Sequence, residues 1–451
     1  MDVLRITGGT PLFGSVRASG AKNAALPIMA AALLTDGPVT LRSVPELTDV
    51  STLARLLERL GLEVRRQGDR LDMRTLASRS VTAPYSLVRR MRATFCVLGP
   101  LLARRGRAIV ALPGGCRIGE RPVDLHLRGL AALGADIALN RGYVVARAKQ
   151  LRGTRISLAG PHGPTVTGTA NVLSAAVLAS GETVLSDAAR EPEIVDLGRF
   201  LNALGARIEG LGTATLRIRG VDQLGGTDYR VIPDRIETAT LLIAGAIAGG
   251  TVRVAGAAPE HLTAVLAALE SAGAVIETGK DWISIAATGR PRPLRLISLP
   301  YPGIPTDVQA QFTALAAIAQ GTSRMADRVF PERFAHVPEL IRLGAEVVRR
   351  GNCAEVRGVA RLSGASVTAS DLRASAALVL AGLAAKGKTT VHRIHHLDRG
   401  YERLEQKLRI LGAQVERLRE AAARQQPIQR FSTGCPLVGF ADAGYSAPLG
   451  L

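Results

Sequence analysis

One cysteine sits among charges and backbone breakers in the stretch Leu112-Pro113-Gly114-Gly115-Cys116-Arg117-Ile118-Gly119-Glu120-Arg121-Pro122-Val123-Asp124-Leu125-His126, between two apolar runs. A thiol with guanidinium neighbours ionises more readily than one in apolar surroundings, and it can donate a proton or attack an electrophile. The glycines and prolines mark the stretch as a loop, and loops on a rigid scaffold carry a large share of binding and catalytic residues. A surface turn with an incidental cysteine has the same composition, so the loop alone leaves both readings open.

Further polar clusters interrupt the apolar pattern. Ser19-Gly20-Ala21-Lys22-Asn23-Ala24-Ala25-Leu26-Pro27 puts one of the chain's few lysines just before an apolar helical run. A phosphate there would meet both an ammonium and free backbone N–H groups. Arg92, in Met91-Arg92-Ala93-Thr94, opens another apolar run, and Thr165-Val166-Thr167-Gly168-Thr169-Ala170-Asn171 supplies hydroxyls suited to capping and to phosphate alike. Charge-dense helix starts follow at Arg190–Asp196, Pro233–Thr238, Pro305-Thr306-Asp307, Asp371-Leu372-Arg373 and Asp398-Arg399-Gly400-Tyr401. Taken singly, the acids complement helix dipoles and the arginines form surface pairs of little worth.

Their recurrence has a source, because the chain itself repeats. A Leu-Gly-Ala pattern or close variant, followed by a short apolar run, places glycines at 61, 134, 205, 273, 344 and 412, at intervals of 73, 71, 68, 71 and 68 residues. Each glycine closes an amphipathic run at helical spacing, such as Leu53–Leu60, and reads as a left-handed helix cap before a strand. A second helix, apolar nearly all round, recurs between them, ending at Gly37, Gly181, Gly249 and Gly387. A helix without a polar face must be buried, so each unit is expected to set one helix inside and one against a sheet. Six α/β units of this length suit two domains of three. The division falls near Tyr229, with residues 1–21 joining 232–420, residues 22–231 forming the other domain, and 421–451 an irregular tail.

Composition sets outer bounds. With 47% hydrophobic residues in 451, the chain has ample core, and no run of eighteen apolar residues predicts a membrane span. The N-terminus lacks the pattern of a signal peptide, so a cytoplasmic location is expected. Cys96, Cys116, Cys353 and Cys435 lie too far apart for a zinc motif or a disulfide scaffold. The net charge of +19 is mostly scattered arginine, and aromatic residues make up 3%, too few for base-stacking platforms, so no nucleic-acid partner is expected. An anionic small substrate fits the charge. Oligomeric state stays open.

Taken together, Ser-Gly-Ala-Lys-Asn-Ala-Ala-Leu-Pro at 19–27, Pro-Gly-Gly-Cys-x-Ile-Gly-x-Arg-Pro-Val-Asp-Leu-His at 113–126, Arg-Glu-Pro-Glu-Ile-Val-Asp at 190–196, Pro-Asp-Arg-Ile-Glu-Thr at 233–238, Pro-Thr-Asp-x-Gln-Ala-Gln-Phe at 305–312, Asp-Leu-Arg-Ala-Ser at 371–375 and Asp-Arg-Gly-Tyr-Glu-Arg at 398–403 resemble the UDP-N-acetylglucosamine 1-carboxyvinyltransferases, a family of enolpyruvyl transferases. The resemblance runs in register from about residue 1 to 418. It implies a two-domain inside-out α/β barrel with three βαβαββ-type units per domain and helices at the centre. It also implies transfer of enolpyruvyl from phosphoenolpyruvate to the 3'-hydroxyl of UDP-N-acetylglucosamine, with release of phosphate, in the first committed step of peptidoglycan synthesis, and with no cofactor or metal.

By motif position, the resemblance makes Cys116 the acid, and the thiol that fosfomycin alkylates, and Asp307 the base for the sugar hydroxyl. Lys22, Arg121, Arg373 and Arg399, with Asn23, become the surroundings of the phosphate and carboxylate, and Lys22 and Arg399 share in catalysis. Arg92, Arg121, Pro122, Val123, Asp124, Leu125, Thr165, Val166, Asp307 and Val329 become the contacts of the sugar nucleotide. The 163–169 segment departs from the family pattern: it keeps a hydroxyl and lacks a common lysine. Enzymes of the same kind acting on another uridine nucleotide such as UMP or on shikimate 3-phosphate, or a catalytically silent homologue, are the alternatives.

Overall fold

All six glycines of the repeat adopt the left-handed conformation, with φ between 90° and 104° at Gly61, Gly134, Gly205, Gly273, Gly344 and Gly412. A side chain at such an angle costs about 1 kcal/mol or more, which is why glycine recurs there. These residues belong to a computed structural model that describes residues 2–76, 80–113 and 123–420. Each glycine ends an amphipathic helix: Thr48–Arg59, Asp124–Ala132, Pro192–Ala203, Thr263–Ser271, Val337–Arg342 and Leu404–Ile410.

Among the described residues, six sheets have four strands each and share one pairing scheme: a parallel pair followed by two antiparallel pairs. In one, Thr82–Ala83 runs parallel to Arg107–Ala111, which pairs antiparallel with Tyr143–Arg147 and so with Asp136–Asn140. In another, Arg155–Ser157, Glu182–Ser186, Leu216–Arg219 and Arg207–Glu209 repeat that order. Three sheets are completed by strands distant in sequence. Asp2–Thr7 lies between Lys388–His392 and Gln414–Arg419, Leu12–Arg17 beside Gly250–Ala255, and Thr227–Arg230 beside Val39–Arg42.

The second set of helices is apolar for the reason the pattern suggested. Lys22–Ala31, Leu98–Arg105, Val166–Ala176, Arg235–Ala248, Gln309–Ala316 and Leu372–Ala384 are buried along most of their length. Gln309–Ala316 packs on Leu372–Ala384 and Arg235–Ala248, and Val166–Ala176 packs on Leu98–Arg105 and Lys22–Ala31. The buried apolar side chains accordingly form two clusters, one from Ala21 to Val231 and one from Leu4 to Val16 together with Ile236 to Val415. One expectation needs correction: the helix drawn up to Gly387 stops at Ala384, because Ala385–Lys386 turns extended and pairs with Leu362–Ser363. No helix among the described residues is long and apolar enough to cross a membrane.

Candidate active site

Asp307 lies where the two cores meet. It sits in the one-turn helix Thr306–Val308, just ahead of Gln309–Ala316. Arg333 Nη1 stands 2.8 Å from its Oδ1, and Arg373 Nη2 donates to its Oδ2 at 2.9 Å. Asn23 Nδ2, from the other core, donates to the same Oδ2 at 3.2 Å. Burial pushes this carboxyl up, but the guanidiniums of Arg373 and Arg333, aided by Lys22, outweigh it and hold Asp307 well below the usual carboxylate range.

Arg373 opens the Leu372–Ala384 helix, whose N-terminus Asp371 caps through the Arg373 and Ala374 N–H groups. The side chain is 2% exposed, and its Nε and Nη1 find no hydrogen-bond partner among the described residues. Its guanidinium carbon lies 5.2 Å from the Tyr401 ring centre, and that phenol is fixed by Gln311 Nε2 at 2.9 Å. A buried cation with unused donors is costly, and a planar guanidinium suits an anion offering paired oxygens.

Lys22 stands at the start of the Lys22–Ala31 helix, where its backbone N–H donates to Asp234 Oδ2 at 3.2 Å. Asp234 Oδ1 also caps the Arg235–Ala248 helix through Ile236 and Glu237, so one carboxylate ties together the first turns of two inner helices from different cores. The Lys22 ammonium lies 3.3 Å from Asp49 Oδ2, and Arg399 Nε donates to Asp49 Oδ1 at 2.8 Å. Burial lowers the Lys22 pKa, and Arg373 and Arg399 add to that effect against Asp49 and Asp307. Four cations, Lys22, Arg333, Arg373 and Arg399, thus face two carboxylates, Asp49 and Asp307. The surplus positive charge is what a multiply charged small anion requires.

The remaining expected site residues lie at the starts of three helices that pack together. Thr165 caps the Val166–Ala176 helix by accepting the Gly168 N–H at 3.2 Å. Val166 is exposed, Val123 is the N-cap of Asp124–Ala132, and Leu125 reaches the Ala159–Pro164 hairpin at Gly160. Arg92 opens the short helix Arg92–Val97. Behind them His126 is 3% exposed: Asn171 Nδ2 donates to its Nδ1 at 3.0 Å, which leaves Nε2–H for Thr167 Oγ1 at 3.2 Å. Burial first, and the Arg92 charge second, push this imidazole down to about 3, so it is neutral. Val329 joins the Asp307 side through Asp327, whose Oδ1 accepts the Val329 N–H at 2.9 Å and whose Oδ2 accepts Thr306 Oγ1 at 2.5 Å.

The structure therefore brings Lys22, Asn23, Asp307, Arg373 and Arg399 into one cluster and links Val329 to it. Arg92, Val123, Asp124, Leu125, Thr165 and Val166 stand at the starts of Arg92–Val97, Asp124–Ala132 and Val166–Ala176, and the first two of these helices both pack on the third. Cys116, Arg121 and Pro122 lie outside the described residues. Asp49, Arg333 and Asp327 escaped sequence reasoning: Asp49 reads as an acid complementing a helix dipole, and nothing local distinguishes Arg333 from the chain's many arginines. A groove of about 570 Å³ lines the chain crossings at 17–20 and 230–233, and none of the clustered residues borders it.

Known proteins place this geometry in context. Residues 6–408 match the family model for EPSP synthase (3-phosphoshikimate 1-carboxyvinyltransferase). The chain is 51% identical over 419 residues to a UDP-N-acetylglucosamine 1-carboxyvinyltransferase of Halorhodospira halophila, a match covering 93% of this chain and 100% of that relative. The crystal structure of the enolpyruvyl transferase NikO from Streptomyces tendae is similar with a TM-score of 0.84 at 27% identity, over 92% of this chain and 98% of that one. An EPSP synthase from Acinetobacter baumannii shares the fold with a TM-score of 0.70 at 19% identity, over 93% and 100%.

Proposed function

The chain belongs to the EPSP synthase family of carboxyvinyl transferases, and from that premise we propose that it moves the enolpyruvyl group of phosphoenolpyruvate onto the 3'-hydroxyl of UDP-N-acetylglucosamine, releasing phosphate. The observation that carries the choice of acceptor is the 51% identity to a UDP-N-acetylglucosamine 1-carboxyvinyltransferase along that relative's whole length. The reaction is the first committed step of peptidoglycan synthesis, and the reading carries with it a cytoplasmic location, where phosphoenolpyruvate is made.

Phosphoenolpyruvate becomes electrophilic at its enol carbon only when its methylene carbon gains a proton, so the reaction needs an acid, and the attacking hydroxyl needs a base. Cys116 supplies the proton and Asp307 receives the one from the sugar 3'-hydroxyl. The resulting tetrahedral ketal carries a methyl group, a phosphate and a carboxylate. As its C–O bond to phosphate breaks, the methyl carbon gives up a proton to a base and the enol double bond re-forms, while the proton taken from the sugar hydroxyl leaves with the phosphate or to solvent. Lys22, Arg121 and Arg399 hold the phosphate, while Arg373, with its two unused buried donors, holds the carboxylate. Asn23 fixes the Asp307 carboxylate from the opposite core. Arg92, Arg121 through Leu125, Thr165, Val166 and Val329 receive the sugar nucleotide. Asp307 serves both substrates, which makes the order of events at that carboxylate decisive.

The finer architecture follows the same reading. Residues 22–231 form one domain and residues 1–21 with 232–420 the other, each of three βαβαββ-type units with helices innermost. Support comes from the two apolar clusters and the shared pairing scheme of the six sheets. Purified protein should release phosphate from phosphoenolpyruvate when UDP-N-acetylglucosamine is added, and not with UMP or shikimate 3-phosphate. Release with UMP and none with the sugar nucleotide would overturn the acceptor assignment and leave the family intact.

A further inference from the structure

Asp49 stands in the first turn of the Thr48–Arg59 helix, where an acid ordinarily complements the helix dipole from the solvent side. This one is different: it is 3% exposed, and both its oxygens point at cations, Lys22 Nζ at 3.3 Å and Arg399 Nε at 2.8 Å. The two cations come from different cores, and Arg399 lies 350 residues away in sequence. One carboxylate shared by two cations leaves the trio positive, so it can orient them without cancelling their attraction for an anion. Resting on the phosphoenolpyruvate reading above, we propose that Asp49 is a positioning residue that holds Lys22 and Arg399, one from each half of the molecule, as a pair aimed at the phosphate of phosphoenolpyruvate.

The charges facing Lys22 make a distinctive readout available. They are Asp49 from the Thr48–Arg59 helix, Asp307 from the turn before Gln309–Ala316, Arg373 from the start of Leu372–Ala384, and Arg399 from the turn Ile394–Arg399. Burial already lowers the pKa of the ammonium, and Asp49 is the leading influence that raises it. Replacing that charge with a neutral amide of the same shape leaves Lys22 between two guanidiniums and a single carboxylate. It then loses its proton at a lower pH, and phosphate capture fails earlier as pH rises.

The test is Asp49→Asn, with KM for phosphoenolpyruvate and kcat followed from pH 6 to 9. The expected result is a KM for phosphoenolpyruvate raised about threefold at pH 6.5 and about tenfold more at pH 8.5, because Lys22 loses its proton at a lower pH once the Asp49 charge is gone. KM for the sugar nucleotide should change by less than about twofold. An Asp49→Asn variant that lowers kcat equally at every pH, with KM for phosphoenolpyruvate parallel to wild type, overturns the proposal. Pulse acetylation of Lys22 read by mass spectrometry gives the same titration without turnover: its reactivity should rise at lower pH in the variant, and coincident profiles overturn the proposal. That arm still decides the matter if wild type proves inactive with UDP-N-acetylglucosamine, in which case the proposed acceptor fails separately. Should the amide variant not fold, Asp49→Glu keeps the charge at a longer reach. It should retain the wild-type labelling profile with a raised KM for phosphoenolpyruvate, and an unchanged KM would contradict positioning.

Discussion

Asp307, as the protein holds it, is a poor base. Arg373, Arg333 and Lys22 outweigh its burial and stabilise the carboxylate, so the proposed role as base requires that those cations be otherwise engaged. In the proposed reaction, phosphoenolpyruvate would bring a carboxylate and a phosphate that compete for the same cations, which would tie activation of the acceptor to the arrival of the donor. Asp307→Asn should therefore lower kcat by roughly 10²–10⁴, the usual worth of a positioned acid or base, measured by phosphate release at saturating substrates. The same change strands two nearly buried guanidiniums, and urea unfolding should show a loss of about 3 kcal/mol. His126 gives a different pH signature. Its folded pKa of about 3 lies below the ordinary value of 6.5, so the unfolded chain binds the extra proton between these values. Its contribution to stability is complete above pH 6.5 and is lost as pH falls toward 3, amounting to a few kcal/mol at most. Thermal midpoints measured from pH 7 down to 4.5 should fall less steeply in His126→Asn than in wild type.

At the scale of the element, the turn glycines and the inner helices explain what could be read in the chain. A left-handed glycine leaves a local mark on sequence, and the six repeats were legible because one residue type solves the same backbone problem each time. The inner helices were legible because nearly every position is apolar. Their ends were less so: Ala385 turns extended because Leu362–Ser363 offers it a strand partner, which no residue in the helix records. The ion pairs of the site were illegible for a related reason. Lys22, Asn23, Asp307, Arg373 and Arg399 stood out only as members of longer motifs, whereas Asp49 acquires its meaning from an arginine 350 residues distant. The glycines also separate two kinds of cost. Gly205→Ala meets nothing within contact distance and should cost about 1 kcal/mol through φ alone, with KM unchanged. Gly99→Ala would bring its Cβ to 2.1 Å from the Asn171 carbonyl and should destabilise substantially more, because two inner helices would have to separate. Paired chemical denaturation curves check both.

Across the whole molecule, the two cores are joined by side chains as well as by the chain crossings. Asn23 meets Asp307, Asp49 meets Arg399, Glu402 accepts the Glu46 N–H, and Arg190 reaches the Tyr301 carbonyl. A further tie, itself buried, is the bidentate pair of Arg235 with Glu193, at 2.9 and 3.2 Å. Glu193→Gln should cost about 3 kcal/mol by leaving Arg235 without its counter-charge, seen as a lower urea midpoint. Because the cations and carboxylates of the site are drawn from both cores, binding should favour whatever arrangement brings them together. X-ray scattering is expected to show a smaller radius of gyration with UDP-N-acetylglucosamine bound than without it. The central assignment is tested most directly by the product. The protein should be incubated with phosphoenolpyruvate and UDP-N-acetylglucosamine and the modified nucleotide examined by mass spectrometry and NMR. The expected product is the sugar nucleotide carrying one enolpyruvyl group as an ether at its 3'-oxygen, formed in equal amount with phosphate. An unmodified sugar nucleotide, or an enolpyruvyl group at another oxygen, would contradict it.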